Sequence, residues 1–159
     1  MGIQEPIKKG SNVKILKYLD PQLVLFLDTQ TREEVLQAMV DLLEKRGKLK
    51  NKQKFYDAIV NREKLVSTGI GMGVAIPHAK ISEYKDFFIA IAVLQRGVDW
   101  QALDQTPVRI VFMIGGPSDK QTEYLQILSA LTTALKDEER RKKLLTRNPP
   151  TDIIALFDT

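Results

Sequence analysis

The longest apolar run in this chain is Phe87-Phe88-Ile89-Ala90-Ile91-Ala92-Val93-Leu94, at residues 87–94. A second run follows a turn at residues 96–100 and reads Val108-Arg109-Ile110-Val111-Phe112-Met113-Ile114. Both runs are rich in β-branched and aromatic residues and are bounded by Gly or Pro, which predicts two central, buried strands. Because eight apolar residues are too few to cross a bilayer, we expect no membrane insertion.

Helical patterns flank the two central strands. Thr31-Arg32-Glu33-Glu34 is a capping box that predicts the start of a helix, and Gly47 is placed to end it. Further elements are predicted as a strand at residues 23–27, helices at 51–62, 120–136 and 138–147, and a short helix starting at Pro149-Pro150. Strands interleaved with helices indicate an α/β fold with a mixed β-sheet flanked by helices on both faces.

Composition places the chain among ordinary globular proteins. Its 159 residues, 43% hydrophobic and 28% charged, suffice for one domain, which we assign to residues 13–159 after a polar, flexible tail at residues 1–12. The absence of Cys excludes disulfides, thiol nucleophiles and Cys-ligated metals, and a single His excludes a two-His metal site. We therefore expect no metal and no cofactor. The N-terminus does not resemble a signal peptide, so the expected compartment is the cytoplasm.

Basic residues are unevenly distributed. Eight of them lie between Lys45 and Lys64 against two acidic residues, and Arg140-Arg141-Lys142-Lys143 forms a second cluster. Neither cluster has interleaved aromatic residues or a recognisable DNA-recognition helix, so no nucleic-acid partner is expected. These clusters are interpreted as solvated helix surfaces, and docking of an acidic protein partner remains an alternative.

The chemically most informative segment is Gly69-Ile70-Gly71-Met72-Gly73-Val74-Ala75-Ile76-Pro77-His78. Its glycine spacing and Pro77 exclude a dinucleotide fingerprint, in which a helix would follow the glycines. Pro77 restricts the backbone before His78, the only histidine of the chain. A histidine so held can accept a phosphoryl group on one ring nitrogen while the other bonds a carbonyl, with Arg62 upstream as a cation for the phosphate. The alternative is a surface or capping histidine.

The stretch from Arg62 to Lys80 resembles the signature of the enzyme IIA domains of the bacterial phosphoenolpyruvate:sugar phosphotransferase system, in the mannitol, fructose and nitrogen-regulatory class. The likeness continues in Gly97-Val98-Asp99-Trp100 with Asp104 and in the segment from Pro107 to Ile114. It covers the chain from about Val13 to Phe157. The resemblance implies the fold of these IIA domains and a phosphocarrier function.

The resemblance also implies partners and site residues. His78 would take a phosphoryl group from the histidine phosphocarrier protein and pass it to a IIB domain or use it to regulate another protein, with Arg62 as the active-site arginine. Many members carry a second histidine in a His-Leu pair, where this chain has Tyr124-Leu125. Tyr124 is either a hydrogen-bond donor to the phosphate or a core residue.

Donors for the phosphate oxygens are expected in the glycine segment. The hydroxyl of Thr68 and the backbone N–H groups of Gly69, Gly71 and Gly73 are the predicted phosphate-binding groups. The alternative to a carrier is a non-catalytic regulatory module that keeps the IIA fold and only binds partners.

Overall fold

The computed structural model describes residues 14–146 and 149–158. The predicted tail at residues 1–12 lies outside them. The strands of the structure are β1 (Val24–Leu27), β2 (Gly69–Gly71), β3 (Val74–Ala75), β4 (His78–Lys80), β5 (Phe88–Val98) and β6 (Val108–Gly116). The helices are α1 (Arg32–Lys45), α2 (Lys52–Leu65), α3 (Gln121–Leu135), α4 (Glu138–Leu144) and α5 (Pro150–Ala155).

The six strands form one mixed sheet in the order β1-β5-β6-β3-β2, with β4 also paired to β6. The two predicted central strands, β5 and β6, lie next to each other and are antiparallel. Strands β3 and β4 both run parallel to β6, one after the other, with Val74 opposite Ile110 and His78 opposite Ile114. Residues 74–78 thus run alongside β6, so that His78 lies four positions further along β6 than Val74 does.

Helices cover both faces of the sheet, as predicted. Residues of α1 and α2 pack on one face together with Ala75, Ala79 and Trp100. Residues of α3, α4 and α5 pack on the other face with Val74, Ile76 and Phe112. Side chains alternate between the two faces along a strand, so β3 contributes Ala75 to one core and Val74 to the other. Among the described residues, no helix is long and apolar enough to span a membrane.

Local signals place the helix ends well. The Thr31–Glu34 capping box is formed, and Gly47 follows α1 with φ of 74°, the left-handed conformation expected at this position. Asn51 caps α2 by accepting a hydrogen bond from the N–H of Lys54. Three elements are longer than predicted: α2 continues past Arg62 to Leu65, β6 continues to Gly116, and β5 continues to Val98, which pairs with Val108 beyond a register shift.

Candidate functional site

His78 is the first residue of β4 and is half-buried. Its Nδ1 lies 3.1 Å from the carbonyl oxygen of Ile76. Because a carbonyl oxygen can only accept a hydrogen bond, this contact assigns the ring proton to Nδ1 and leaves the lone pair on Nε2. The carbonyl of Pro77 accepts a hydrogen bond from the N–H of Ile114 at 2.9 Å, which ties the backbone before the histidine to β6. The imidazole is therefore held in one orientation with Nε2 unoccupied.

An aromatic side chain of α3 lies against the imidazole. The ring centroids of His78 and Tyr124 are 5.6 Å apart, and the ring of Phe87 packs on Tyr124 at 6.2 Å. Tyr124 is 5% exposed, and its residue position belongs to the core on the α3 face. Tyr124 thus serves both as a core residue and as one wall of the histidine site.

Lys80 adds a cation that sequence reasoning assigned no role. It lies two residues after His78 in β4 and so faces the same side of the sheet. Its Nζ lies 4.1 Å from the centroid of the Tyr124 ring and donates a hydrogen bond to Oε1 of Gln121 at 2.8 Å. Burial lowers the pKa of the Lys80 ammonium below its usual value. Because side chains two positions apart in a strand share a face, a strand predicted to begin at His78 would have indicated that Lys80 lies beside the histidine.

Arg62 lies in the last turn of α2 and is half-buried. Its Nη1 donates a hydrogen bond to the carbonyl oxygen of Val66 at 2.8 Å. The N–H of Ile76 donates a hydrogen bond to the carbonyl of Thr68 at 3.0 Å, so the segment after Val66 lies beside the residues that lead to His78. The Arg62 guanidinium is fixed on this segment, and its positive charge acts on the imidazole.

The pKa of His78 is lowered below its ordinary value, chiefly because burial disfavours the imidazolium. The positive charges of Arg62 and Lys80 lower this pKa further, while the Ile76 hydrogen bond and Glu63 act in the opposite direction. His78 is therefore neutral at pH 7, the state in which Nε2 is nucleophilic. Because the unfolded chain takes up this proton more readily, the free energy of unfolding falls as pH drops below about 6.5 and continues to fall down to the pKa of the folded state.

The chain's single histidine makes this pKa directly measurable. We expect the proton resonances of the His78 ring to titrate with a midpoint below about 6.5, the value of an unperturbed histidine. In Lys80→Met the midpoint should rise, because one of the two cations that oppose protonation is gone. Lys85→Met is a matched control on an exposed lysine and should leave the midpoint unchanged. A midpoint in Lys80→Met equal to or below that of the parent protein would contradict this assignment of charges.

A buried polar network holds the segment beside the histidine. Glu63 is 4% exposed, and its carboxylate accepts hydrogen bonds from the Thr68 N–H at 2.6 Å and from the Thr68 hydroxyl at 2.7 Å. The same hydroxyl accepts a bond from Nε1 of Trp100 at 3.2 Å. Arg32 completes the network, with Nη1 3.7 Å from the Glu63 carboxylate and 3.2 Å from the carbonyl of Trp100. Both donors of Thr68 are thus engaged by Glu63.

The structure does not bring the other predicted phosphate-binding residues to His78. Gly71 and Gly73 have φ of 97° and 76° and form the tip of the β2–β3 hairpin together with Met72. This tip lies near Ile110, four residues from Ile114 along β6, or about 13 Å from the level of His78. The N–H of Gly69 donates to Oγ of Ser67 at 3.1 Å. In the structure Gly71 and Gly73 shape the hairpin tip, and phosphate binding by Thr68, Gly69, Gly71 and Gly73 stays a prediction.

Part of the basic surface between Lys45 and Lys64 is neutralised locally. Lys52 pairs with Asp41 at 2.7 Å, and Lys54 pairs with Glu83 at 3.3 Å. These contacts fit the interpretation of the run as a solvated helix surface. In the described part of the chain, no three His, Asp or Glu side chains are grouped to hold a metal ion.

Taken together, the site presents a neutral imidazole with a free Nε2, flanked by the cations Arg62 and Lys80 and backed by Tyr124. Cations around a neutral nitrogen nucleophile suit a group that carries negative charge, and a phosphoryl group is such a group. The arrangement can serve phosphoryl transfer to histidine.

The family comparison agrees with this chemistry. The model of the family described as "Phosphoenolpyruvate-dependent sugar phosphotransferase system, EIIA 2" matches residues 17–159. The chain belongs to this family of enzyme IIA domains. It is 40% identical over 134 residues to the fructose-specific EIIABC component of Bacillus subtilis strain 168, a segment that covers 84% of this chain and 21% of that protein. The chain thus spans about a fifth of the length of that relative.

Solved structures show the same fold. The crystal structure of the nitrogen regulatory protein IIA-Ntr from Neisseria meningitidis superposes with a TM-score of 0.84 at 26% identity, covering 90% of this chain and 98% of that one. The mannitol IIA of Escherichia coli, solved in complex with phosphorylated mannitol IIB, gives a TM-score of 0.75 at 21% identity and covers 88% and 96% of the two chains. The expected IIA fold is confirmed.

Proposed function

We propose that this chain is a cytoplasmic phosphocarrier of the phosphotransferase system, with Nε2 of His78 as the atom that carries the phosphoryl group. The donor would be the histidine phosphocarrier protein, and the acceptor a IIB domain. Family membership supports the class of function. The observation that supports the residue assignment is the Nδ1 contact with Ile76, which leaves Nε2 free beside Arg62 and Lys80.

The transfer needs little covalent work from the protein. The Nε2 lone pair of His78 attacks the phosphorus of a donor phosphohistidine, the donor P–N bond breaks, and its electron pair returns to the donor nitrogen. The proton on Nδ1 of His78 stays on that nitrogen, which continues to donate its hydrogen bond to the carbonyl of Ile76, so no proton has to move. Arg62 and Lys80 stabilise the charge on the phosphoryl oxygens, and Lys80 exchanges its bond to Gln121 for one to the phosphate.

Transfer to the purified chain tests this function. The chain is incubated with phosphoenolpyruvate, enzyme I and the histidine phosphocarrier protein, and we expect a mass gain of one phosphoryl group that is labile in acid. Omission of enzyme I is the control and should prevent the gain. If the complete mixture produces no gain, the chain is not a carrier, and the non-catalytic module becomes the better description.

A hydrogen bond from the Tyr124 hydroxyl to the phosphate can be tested separately from the packing of its ring in the core. Tyr124→Phe keeps the ring that packs on His78 and removes only the hydroxyl. If the hydroxyl donates to the phosphate, we expect the hydrolysis rate of the phosphorylated chain to rise about fivefold, the effect of ~1 kcal/mol for one hydrogen bond. Tyr56→Phe is the matched control on α2 and should leave the rate unchanged. An unchanged rate in Tyr124→Phe would assign this residue to the core alone.

Exposed apolar side chains around the site suit a protein partner. Leu65 and Val66 follow Arg62 and are 79% and 66% exposed, and Leu125 follows Tyr124 and is 51% exposed. Apolar side chains next to a charged centre are typical of protein interfaces. The solved complex between mannitol IIA and phosphorylated IIB belongs to a protein of the same fold, which supports a IIB domain as the acceptor here.

Docking at this surface predicts a change in KM. Leu65→Asp should raise the KM for the phosphorylated histidine phosphocarrier protein about fivefold, as for loss of ~1 kcal/mol at an interface, with kcat little changed. Leu103→Asp is the matched control, since Leu103 is 99% exposed on the loop that contacts the β2–β3 hairpin. Equal KM values for the two variants in steady-state transfer would contradict docking at Leu65.

A further inference from the structure

A cavity of about 270 Å³ lies between the β2–β3 hairpin tip, the start of β6 and α4. It is at the opposite end of β3 from His78, since its lining residue Ile110 is four positions along β6 from Ile114, which lies opposite His78, a distance of about 13 Å. Its lining is mostly apolar and includes Met72, Ile110 and Leu145. A cavity of this size is near the lower limit of small-molecule sites.

The rim of the cavity carries excess positive charge. Arg109, Arg141 and Lys142 line it, with Glu138 as the one acidic lining residue. Among the residues that the structure describes, Glu138 pairs with Lys142 alone, at 3.9 Å, and both side chains are largely exposed. Within the described residues, neither arginine has a carboxylate within 4 Å. Arg109 is half-buried, and its Nε donates to the carbonyl of Leu94 at 2.9 Å, which fixes the guanidinium against β5.

Met72 forms a wall of this cavity in an unusual backbone conformation. Its φ is 61°, between two glycines that also have positive φ. For a residue other than glycine this conformation is unfavourable, so other contacts must hold it. The Met72 N–H donates to Oδ2 of Asp104 at 3.0 Å, and the Arg141 guanidinium lies 3.5 Å from the Met72 sulfur. The apolar wall is thus fixed in place before any ligand binds.

We propose that this cavity binds a small amphipathic carboxylate. The apolar chain of the ligand would occupy the floor formed by Met72, Ile110 and Leu145, and its carboxylate would pair with Arg109 and Lys142 at the rim. An apolar floor alone would take a neutral ligand, but the uncompensated guanidinium of Arg109 selects a charged one. Arg141 contributes positive charge at the rim, while its Nη1 keeps donating hydrogen bonds to the carbonyls of Leu135 and Lys136. The proposal does not depend on phosphorylation of His78.

Titration with hexanoate, followed by amide NMR of the full chain, tests this proposal. We expect saturable chemical-shift changes centred on Gly73, Ile110 and Leu145. Hexan-1-ol and inorganic phosphate should each bind at least fivefold more weakly than hexanoate, because hexan-1-ol lacks the carboxylate and phosphate lacks the apolar chain. Lys142→Gln should weaken hexanoate binding about threefold, the size of an exposed charge contact. Arg109→Gln should weaken it about tenfold or more, as for a charged hydrogen bond.

Lys143→Gln is the matched control, since Lys143 is exposed on the same helix and does not line the cavity. It should bind hexanoate like the parent protein, and thermal unfolding should show that all variants are folded. Absence of saturable shifts, equal binding of hexan-1-ol, or equal affinities of Lys142→Gln and Lys143→Gln would overturn the proposal. Shifts centred on His78 and Arg62 would also overturn it, since hexanoate would then be bound at the site described above.

Discussion

His78→Asn is expected to abolish phosphorylation by the histidine phosphocarrier protein, with labelling reduced on the order of 10³-fold or more. The amide of Asn has no nucleophilic nitrogen, so the P–N bond cannot form. The fold should survive, because His78 is half-buried at the edge of the core and its residue position is tied through the backbone of Pro77 and Ile114. The measurement is the acid-labile mass gain of the variant beside the parent protein.

A loss of labelling must be separated from a loss of structure. Thermal unfolding and circular dichroism of His78→Asn should match those of the parent protein closely. Lys85→Met, on an exposed lysine of the loop before β5, should still be labelled. If a folded His78→Asn gains a phosphoryl group at the parental rate, the acceptor residue is another one, and the site assignment is wrong.

Glu63→Ala is expected to lower the free energy of unfolding by about 3–5 kcal/mol, because it leaves two buried donors without their acceptor and removes the carboxylate that pairs with a partly buried guanidinium. Those groups are Arg32 and the N–H and hydroxyl of Thr68. For a chain of this length, the expected drop in Tm is on the order of 10 °C. Transfer to His78 should slow as well, since the carbonyl of Thr68 bonds the N–H of Ile76 next to the site.

Glu33→Gln is the matched control for this prediction. Glu33 lies near the same arginine, 3.9 Å from Arg32 Nε, but its side chain is 70% exposed. Its replacement should change stability by less than about 0.5 kcal/mol. Denaturant unfolding of both variants measures the difference. Equal stabilities of Glu63→Ala and Glu33→Gln would show that the buried network does not hold the segment beside the histidine.

Features that depend on neighbouring residues were predictable from the sequence. The Thr31–Glu34 capping box and the apolar runs of β5 and β6 each need only local geometry, and all of them appear in the structure. The alternation of strands and helices along the chain was sufficient to predict a mixed sheet with helices on both faces. The role of Arg62 at the phosphate, which its position shortly before the Gly-Pro-His segment suggested, stays a prediction.

Features that depend on contacts between distant residues were missed. Arg32 and Trp100 meet across 68 positions, and Trp100 reaches Thr68 across 32, so periodicity and spacing contain no sign of the network around Glu63. Gly71 and Gly73 are close to His78 along the chain, but the extended course of β3 carries them to the other end of the sheet. The bond between Thr68 and Glu63 could not be predicted either, because a hydroxyl in a glycine segment does not reveal its hydrogen-bond partner.

The central claim is that Nε2 of His78 carries the phosphoryl group, while Nδ1 keeps its proton and donates a hydrogen bond to the carbonyl of Ile76. Nitrogen NMR of chain labelled with nitrogen-15 in its single histidine, before and after phosphorylation, tests this atom by atom. We predict phosphorus coupling at Nε2 and a retained proton at Nδ1. Coupling at Nδ1, or a phosphorylated chain with neither histidine nitrogen coupled to phosphorus, would contradict the account.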